Sequence, residues 1–141
     1  AIGAKLGEAN CIKALGDVHR DLSELPEARA RYEEALPIYR AIGDKLGEAN
    51  TLSAILRLEY EQTGNVSKAE DELRAVIQIR QKIGDLYGEA ADCGNFAILL
   101  LKTGHKEPAK KYFRHTREIF AHIGVKAAVE MTDRYLAACE E

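Results

Sequence analysis

The sequence predicts an all-α protein, an α-solenoid of about seven helices stacked as antiparallel hairpins, and three observations carry that expectation. A ten-residue segment recurs almost unchanged at a spacing of 40 residues. Two amphipathic stretches of helical period lie between successive copies. Glycines sit where each second stretch should end, and helix-starting residues sit where it should begin.

The recurring segment is Ala1-Ile-Gly-Ala-Lys-Leu-Gly-Glu-Ala-Asn10, which returns as Ala41-Ile-Gly-Asp-Lys-Leu-Gly-Glu-Ala-Asn50. It returns 41 residues later as Lys82-Ile-Gly-Asp-Leu-Tyr-Gly-Glu-Ala-Ala91, and more faintly, after 40, as His122-Ile-Gly-Val-Lys-Ala-Ala-Val-Glu-Met131. One repeat array therefore fills residues 1–141, with units at about 7–46, 47–87 and 88–126 and a terminal capping helix at about 127–139.

Taken in order, helices are expected near 7–22, 26–42, 47–62, 66–83, 88–102, 106–123 and 127–139. In the first unit Ala9, Ile12, Leu15, Gly16 and His19 form one apolar face, and Ala28, Tyr32, Ala35 and Tyr39 form the next. Starts are marked by Ser23 and Pro26, by Asn65 with a Ser67-x-x-Glu70 capping box, and by Thr103-Gly104 with Pro108. Stops are marked by Gly43, Gly84 and Gly124, which can take the left-handed conformation cheaply. Pro37 lies inside a helix and is expected to bend it, because it cannot bond back to Glu33. The second unit carries one inserted residue, expected to be absorbed as a π-type bulge between Leu56 and Tyr60 or in the turn before Asn65. A single hairpin cannot cover its own apolar face, so neighbours must stack.

Composition agrees and excludes several functions. Hydrophobic residues make up 46%, but only 6% are aromatic and Trp is absent, which favours closely packed helices. Twenty basic against twenty-three acidic residues leave a net charge of −3, with no global field toward nucleic acid or an anionic membrane. The longest apolar runs, such as Phe96 to Leu101, fall far short of the ~20 residues a membrane span needs. The chain opens on Ala inside a repeat landmark, so it is expected to be a piece excised from a longer array, and the missing leader carries no information. Cys11, Cys93 and Cys139 show no ligand spacing and are expected to be reduced core thiols of an intracellular, cytoplasmic protein.

No phosphate-cradling, zinc-protease or nucleophile-elbow motif occurs, so no catalytic role, cofactor or metal is expected. His115 and His122 share a helix face without a further ligand and are expected to be surface or packing residues. Lys106, Lys110, Lys111, Arg114, His115 and Arg117 form a basic stretch, flanked by Glu107 and Glu118, that is expected to be a solvated helix face.

Ile12-x2-Leu15-Gly16-x2-His19 followed by Ala28-x3-Tyr32 and Ala35 resembles the tetratricopeptide signature, as do Cys93-x2-Phe96-Ala97-x2-Leu100 with Ala109-x3-Phe113 and, more weakly, Ala69-x3-Leu73. The period of about 40, against about 34 in the basic repeat, is similar to the long-repeat subfamily of kinesin light chains, spindle-orientation scaffolds and sensor arrays of signalling ATPases. The resemblance implies a right-handed superhelix that holds a peptide or a helix of a protein partner in its concave groove. Such hairpins line the groove with their first helices, on positions the packing does not use. Here these are Asn10, Lys13 and Asp17, then Asn50, Ser53 and Arg57, then Gly94, Asn95 and Ile98, and finally Arg134. Repeated Asn on one face suits amide bonding to an extended backbone. Two other roles stay open: a structural spacer without a groove ligand, and a regulatory segment of a larger signalling NTPase or transcription regulator. Apolar array ends would allow self-association.

Overall fold

The computed structural model describes residues 1–141 as seven helices without a strand, the all-α helical-repeat fold that the periodicity predicts. The chain forms two compact units, Ala1–Ile79 and Arg80–Glu141. The first holds α1 (Ile2–Asp21), α2 (Leu25–Ile42), α3 (Lys45–Thr63) and most of α4 (Val66–Lys82); the second holds the last turn of α4, α5 (Leu86–Lys102), α6 (Lys106–Ile123) and α7 (Lys126–Cys139).

In the first unit α2 is packed on both sides. Toward α1, Ala35 and Tyr39 bury Ala9 with Leu6, Ile12 and Ile38 around them. Toward α3, Ala28 and Tyr32 meet Ala54 and Leu58. The helices come close because one partner at each crossing is nearly side-chain-free. A Cβ on Gly16 would stand 2.6 Å from the Tyr32 ring, and one on Gly47 would collide still harder with the Tyr39 ring. In the second unit Phe96, Ala97 and Leu100 of α5 and Ala109 and Phe113 of α6 are buried, and Ile119 and Phe120 join Ala90 beneath Val125, Ala128 and Val129.

The repeated landmark now has a local cause. Gly43, Gly84 and Gly124 end their helices at φ of 71, 72 and 81°, the left-handed region that suits glycine. Asp44 and Asp85 then cap the next helices, accepting from the backbone N–H of Gly47 at 3.1 Å and Gly88 at 2.8 Å. Those caps start α3 and α5 two residues before the expected 47 and 88. Ala4 stands at the capping position of the first copy, and α1 runs uncapped from Ile2.

Four local expectations are corrected. Ser23 is not a cap: it takes φ 61° in the turn position that Gly64 and Gly104 fill elsewhere, and α2 opens on Glu24 without a side-chain bond. Asn65 caps α4, bonding the Lys68 N–H at 3.1 Å, which places Ser67 inside the helix. The inserted residue makes neither a π-bulge nor a longer turn, because α3 is regular throughout and only Gly64 and Asn65 separate it from α4. An unbroken helix keeps the register set at Gly47, so Leu56 is buried, Arg57 is exposed, and Glu59 occupies the inward position that Leu100 fills in α5. Among the cysteines, Cys93 and Cys139 are buried but Cys11 is exposed, since it falls on the outer face of α1. Burial pushes the Cys93 thiol up to about 12, so it stays protonated. Pro37 is exposed and α2 continues through it, and no helix is long and apolar enough to cross a membrane.

Ala28 and Ala109 are fully buried at helix crossings. Ala28→Leu and Ala109→Leu should each cost about 1–3 kcal/mol by overpacking, read as a lowered urea midpoint with an unchanged slope.

Candidate partner-binding surface

The residues expected to face a partner fall into two groups, one in each unit. On α1, Asn10 and Asp17 have structural work. The buried Tyr39 hydroxyl donates to Asn10 Oδ1 at 2.6 Å, and the buried Tyr32 hydroxyl donates to Asp17 Oδ1 at 2.6 Å. Lys13 Nζ closes the chain by donating to Asp17 Oδ2 at 3.1 Å. Burial and the bond to Asp17 raise the Tyr32 phenol far above its ordinary value, and burial with the Asp44 and Asp17 charges raises Tyr39. Both rings are therefore neutral donors, and their acceptors are committed. On α3, Asn50 is exposed, Ser53 is half-buried, and Arg57 is exposed with its Nε on Glu61 at 3.1 Å.

The glutamates of the landmark are also held in place. Burial works against the charge of Glu48, but hydrogen bonds from Arg40 and Lys45 outweigh it and keep the carboxyl below its usual range. Glu89 is buried, with His115 Nε2 at 2.8 Å from its Oε2. Beside it, the buried Arg80 guanidinium clamps the capping Asp85 at 3.0 Å and Asp92 at 2.9 Å. Part of the expected basic face of α6 is paired with carboxylates within the second unit. Lys110 reaches Glu107 and Glu140, and Arg117 reaches Asp133.

In the second unit three of the expected residues, Gly94, Asn95 and Ile98, come together on a real concavity. Asn95, exposed, and Ile98, half-buried, line a cleft of about 380 Å³ with α5 on one side, α7 on the other and α6 beneath. Tyr87, Ala91 and Gly94 complete the α5 wall; Phe113, Thr116 and Phe120 form the floor; Ala128, Met131 and Tyr135 form the α7 wall. Arg134 is exposed on α7 but does not line it. Gly94 keeps the floor accessible, since a Cβ there would press the Thr116 methyl at 3.2 Å. The ring stack of Phe113 on Tyr135, with centroids 5.0 Å apart, and the edge contact of Tyr87 on Phe120 at 5.3 Å stiffen the lining. The hydroxyls of Thr116 and Thr132 are spent on the carbonyls of Ala90 and Ala128. The interior therefore offers apolar surface, and the Asn95 amide supplies polar groups at its wall.

Sequence reasoning missed Tyr87 and Met131, which are 60% and 56% exposed on that cleft. Tyr87 was a visible departure, because the first two landmark copies have Leu6 and Leu46 there. Met131 and Tyr135 gave no comparable signal, since the last copy is too divergent to fix its register.

Residues 8–82 match the family described as Tetratricopeptide repeat. A curated relative, the 43 kDa receptor-associated protein of the synapse of Tetronarce californica, is 31% identical over 81 residues. That match covers 57% of this chain and 18% of the relative, so the chain spans less than a fifth of that protein's length.

Replacing Tyr39 by Phe or Asn10 by Ala should each cost about 1 kcal/mol, and the double variant should cost clearly less than the sum, because one bond is lost in all three. Additive urea midpoints would return Asn10 to the binding surface.

Proposed function

We propose that this chain, which belongs to the tetratricopeptide-repeat family, holds a protein partner by seating an apolar side chain of a bound peptide or helix in the cleft between α5 and α7. Repeats of this family are non-catalytic and mediate protein–protein interaction. The cleft carries the finer reading: it is apolar, stiffened by paired rings, and bordered by the exposed Asn95. Tyr87 and Met131 leave apolar surface in water that a partner would cover. On α3 of the first unit Asn50 and Arg57 are a separate candidate contact, whereas Asn10, Lys13 and Asp17 bond within their own hairpin. The name of the curated relative, a receptor-associated protein, favours a scaffold with a receptor or receptor-bound protein as partner.

Selection of random peptides displayed on phage against the 141-residue chain tests the reading. Enriched peptides should share an apolar anchor, and Met131→Asp, at an exposed position, should weaken them at least about tenfold, or about 1.4 kcal/mol, without changing the circular dichroism. Asn95→Ala should weaken them less. Enrichment without an apolar anchor, or full affinity in the Met131 variant, would remove the cleft from the account.

A further inference from the structure

Inside the first unit α2, α3 and α4 bring five charged side chains together. Glu59 of α3, 8% exposed, accepts from Arg29 Nη2 of α2 on its Oε1 at 2.5 Å, while Arg29 Nε bonds Glu33 at 2.7 Å. Lys68 Nζ of α4 stands 3.5 Å from Glu59 Oε2 without a hydrogen bond, and that oxygen is buried with no donor. Glu72, one turn along α4 from Lys68, is half-buried with its carboxyl in hydrogen-bonding reach of Glu59. Two cations thus face three carboxylates, and Glu33 is the one of the three open to water. Two adjoining carboxylates offer only acceptors, whereas a carboxylic acid offers an O–H.

We propose that Glu59 and Glu72 share one proton, donated as the O–H of Glu72 to Glu59, making this three-helix junction a proton-operated latch. The shared proton gives a second donor to the buried Glu59 carboxylate, one of whose oxygens has none, and balances the charges at the junction. The chemistry of the site agrees. Burial first, then the hydrogen bond and the charge of Glu59, push Glu72 up to about 7. The same bond holds Glu59 below its ordinary range against the cost of burial, with Arg29 adding to it. The pair exists because the inserted residue of α3 is carried by an unbroken helix, which turns Glu59 inward where α5 has Leu100.

The sign of the pH dependence follows from the direction of each shift. Glu72 binds its proton more tightly folded than unfolded, so its stabilisation is fully present below the unfolded value of 4.5 and is lost as pH rises through about 7. Glu59 acts oppositely, and its stabilisation is lost only as pH falls below that ordinary value. Between these limits Glu72 sets the slope, and the latch is firmest in mildly acidic solution.

Carbon-13 NMR of the glutamate side-chain carboxyls of the whole chain tests the proposal. The pair should titrate in two separated steps, the upper near 7, against about 4.3 for an ordinary glutamate. Glu72→Gln, which keeps a donor but cannot titrate, should abolish the upper step, and Glu33→Gln should leave it. Between pH 5 and pH 8 the unfolding constant of the wild type should rise at least about tenfold relative to that of Glu72→Gln. Titration of both carboxyls below pH 5 in the wild type would overturn the latch, and that spectrum decides even if the variant does not fold. The outcome is independent of the peptide selection, which reads the other unit.

Discussion

The close approach of a tyrosine ring to a helix backbone is the constraint on which the first unit depends. Tyr32 lies against Gly16 and Tyr39 against Gly47, at crossings where a methyl group would collide with the ring. These contacts bring α1 and α3 onto opposite sides of α2. They also give the Gly-Glu-Ala of the second copy its reason. Gly47 admits the ring, Glu48 receives Arg40 from the preceding helix, and Ala49 is fully buried behind them. Two polar consequences follow, because a buried ring needs a partner for its hydroxyl. Asn10 and Asp17 supply one each, so an oxygen of each is committed to its own hairpin.

The second unit resolves the same repeat differently. Phenylalanine replaces tyrosine at Phe113, where no hydroxyl has to be satisfied, and Ala97 stands where the first hairpin has Gly16. Its α5 and α7 leave a cleft above α6, walled by rings that stack on one another instead of pressing into a backbone. The fold therefore separates two jobs that the sequence pattern places at equivalent positions. In the first unit they steady the hairpin, and in the second they leave a surface open.

The helices and their order were legible because periodicity, glycine stops and repeat spacing all report local geometry, which the sequence carries directly. Gly43, Gly84 and Gly124 act as their positions predict. Less was legible wherever a residue answers to another helix. Asn10 and Asp17 look unused along α1, and their tyrosine partners lie 29 and 15 residues away. Glu59 looks like an exposed helix residue until the insertion is known to keep α3 regular, and that depends on packing that a single sequence does not display. Ser23 looks like a cap because serine often is one, yet the turn requires a left-handed residue there. Of the candidate binding positions, Gly94, Asn95 and Ile98 reach a cleft because α7 closes it from a distance, through Met131 and Tyr135.

Gly47→Ala measured beside Gly7→Ala tests the ring-on-glycine constraint most directly. The two glycines occupy the same place in successive landmark copies, both inside helices, but only Gly47 touches a ring, and Gly7 faces open space. Helix propensity alone would make both variants more stable, by up to about 1 kcal/mol. The constraint predicts opposite signs in urea unfolding: Gly7→Ala raises the midpoint, and Gly47→Ala lowers it by about 1–3 kcal/mol of stability. A Gly47→Ala midpoint equal to or above the wild type would contradict it.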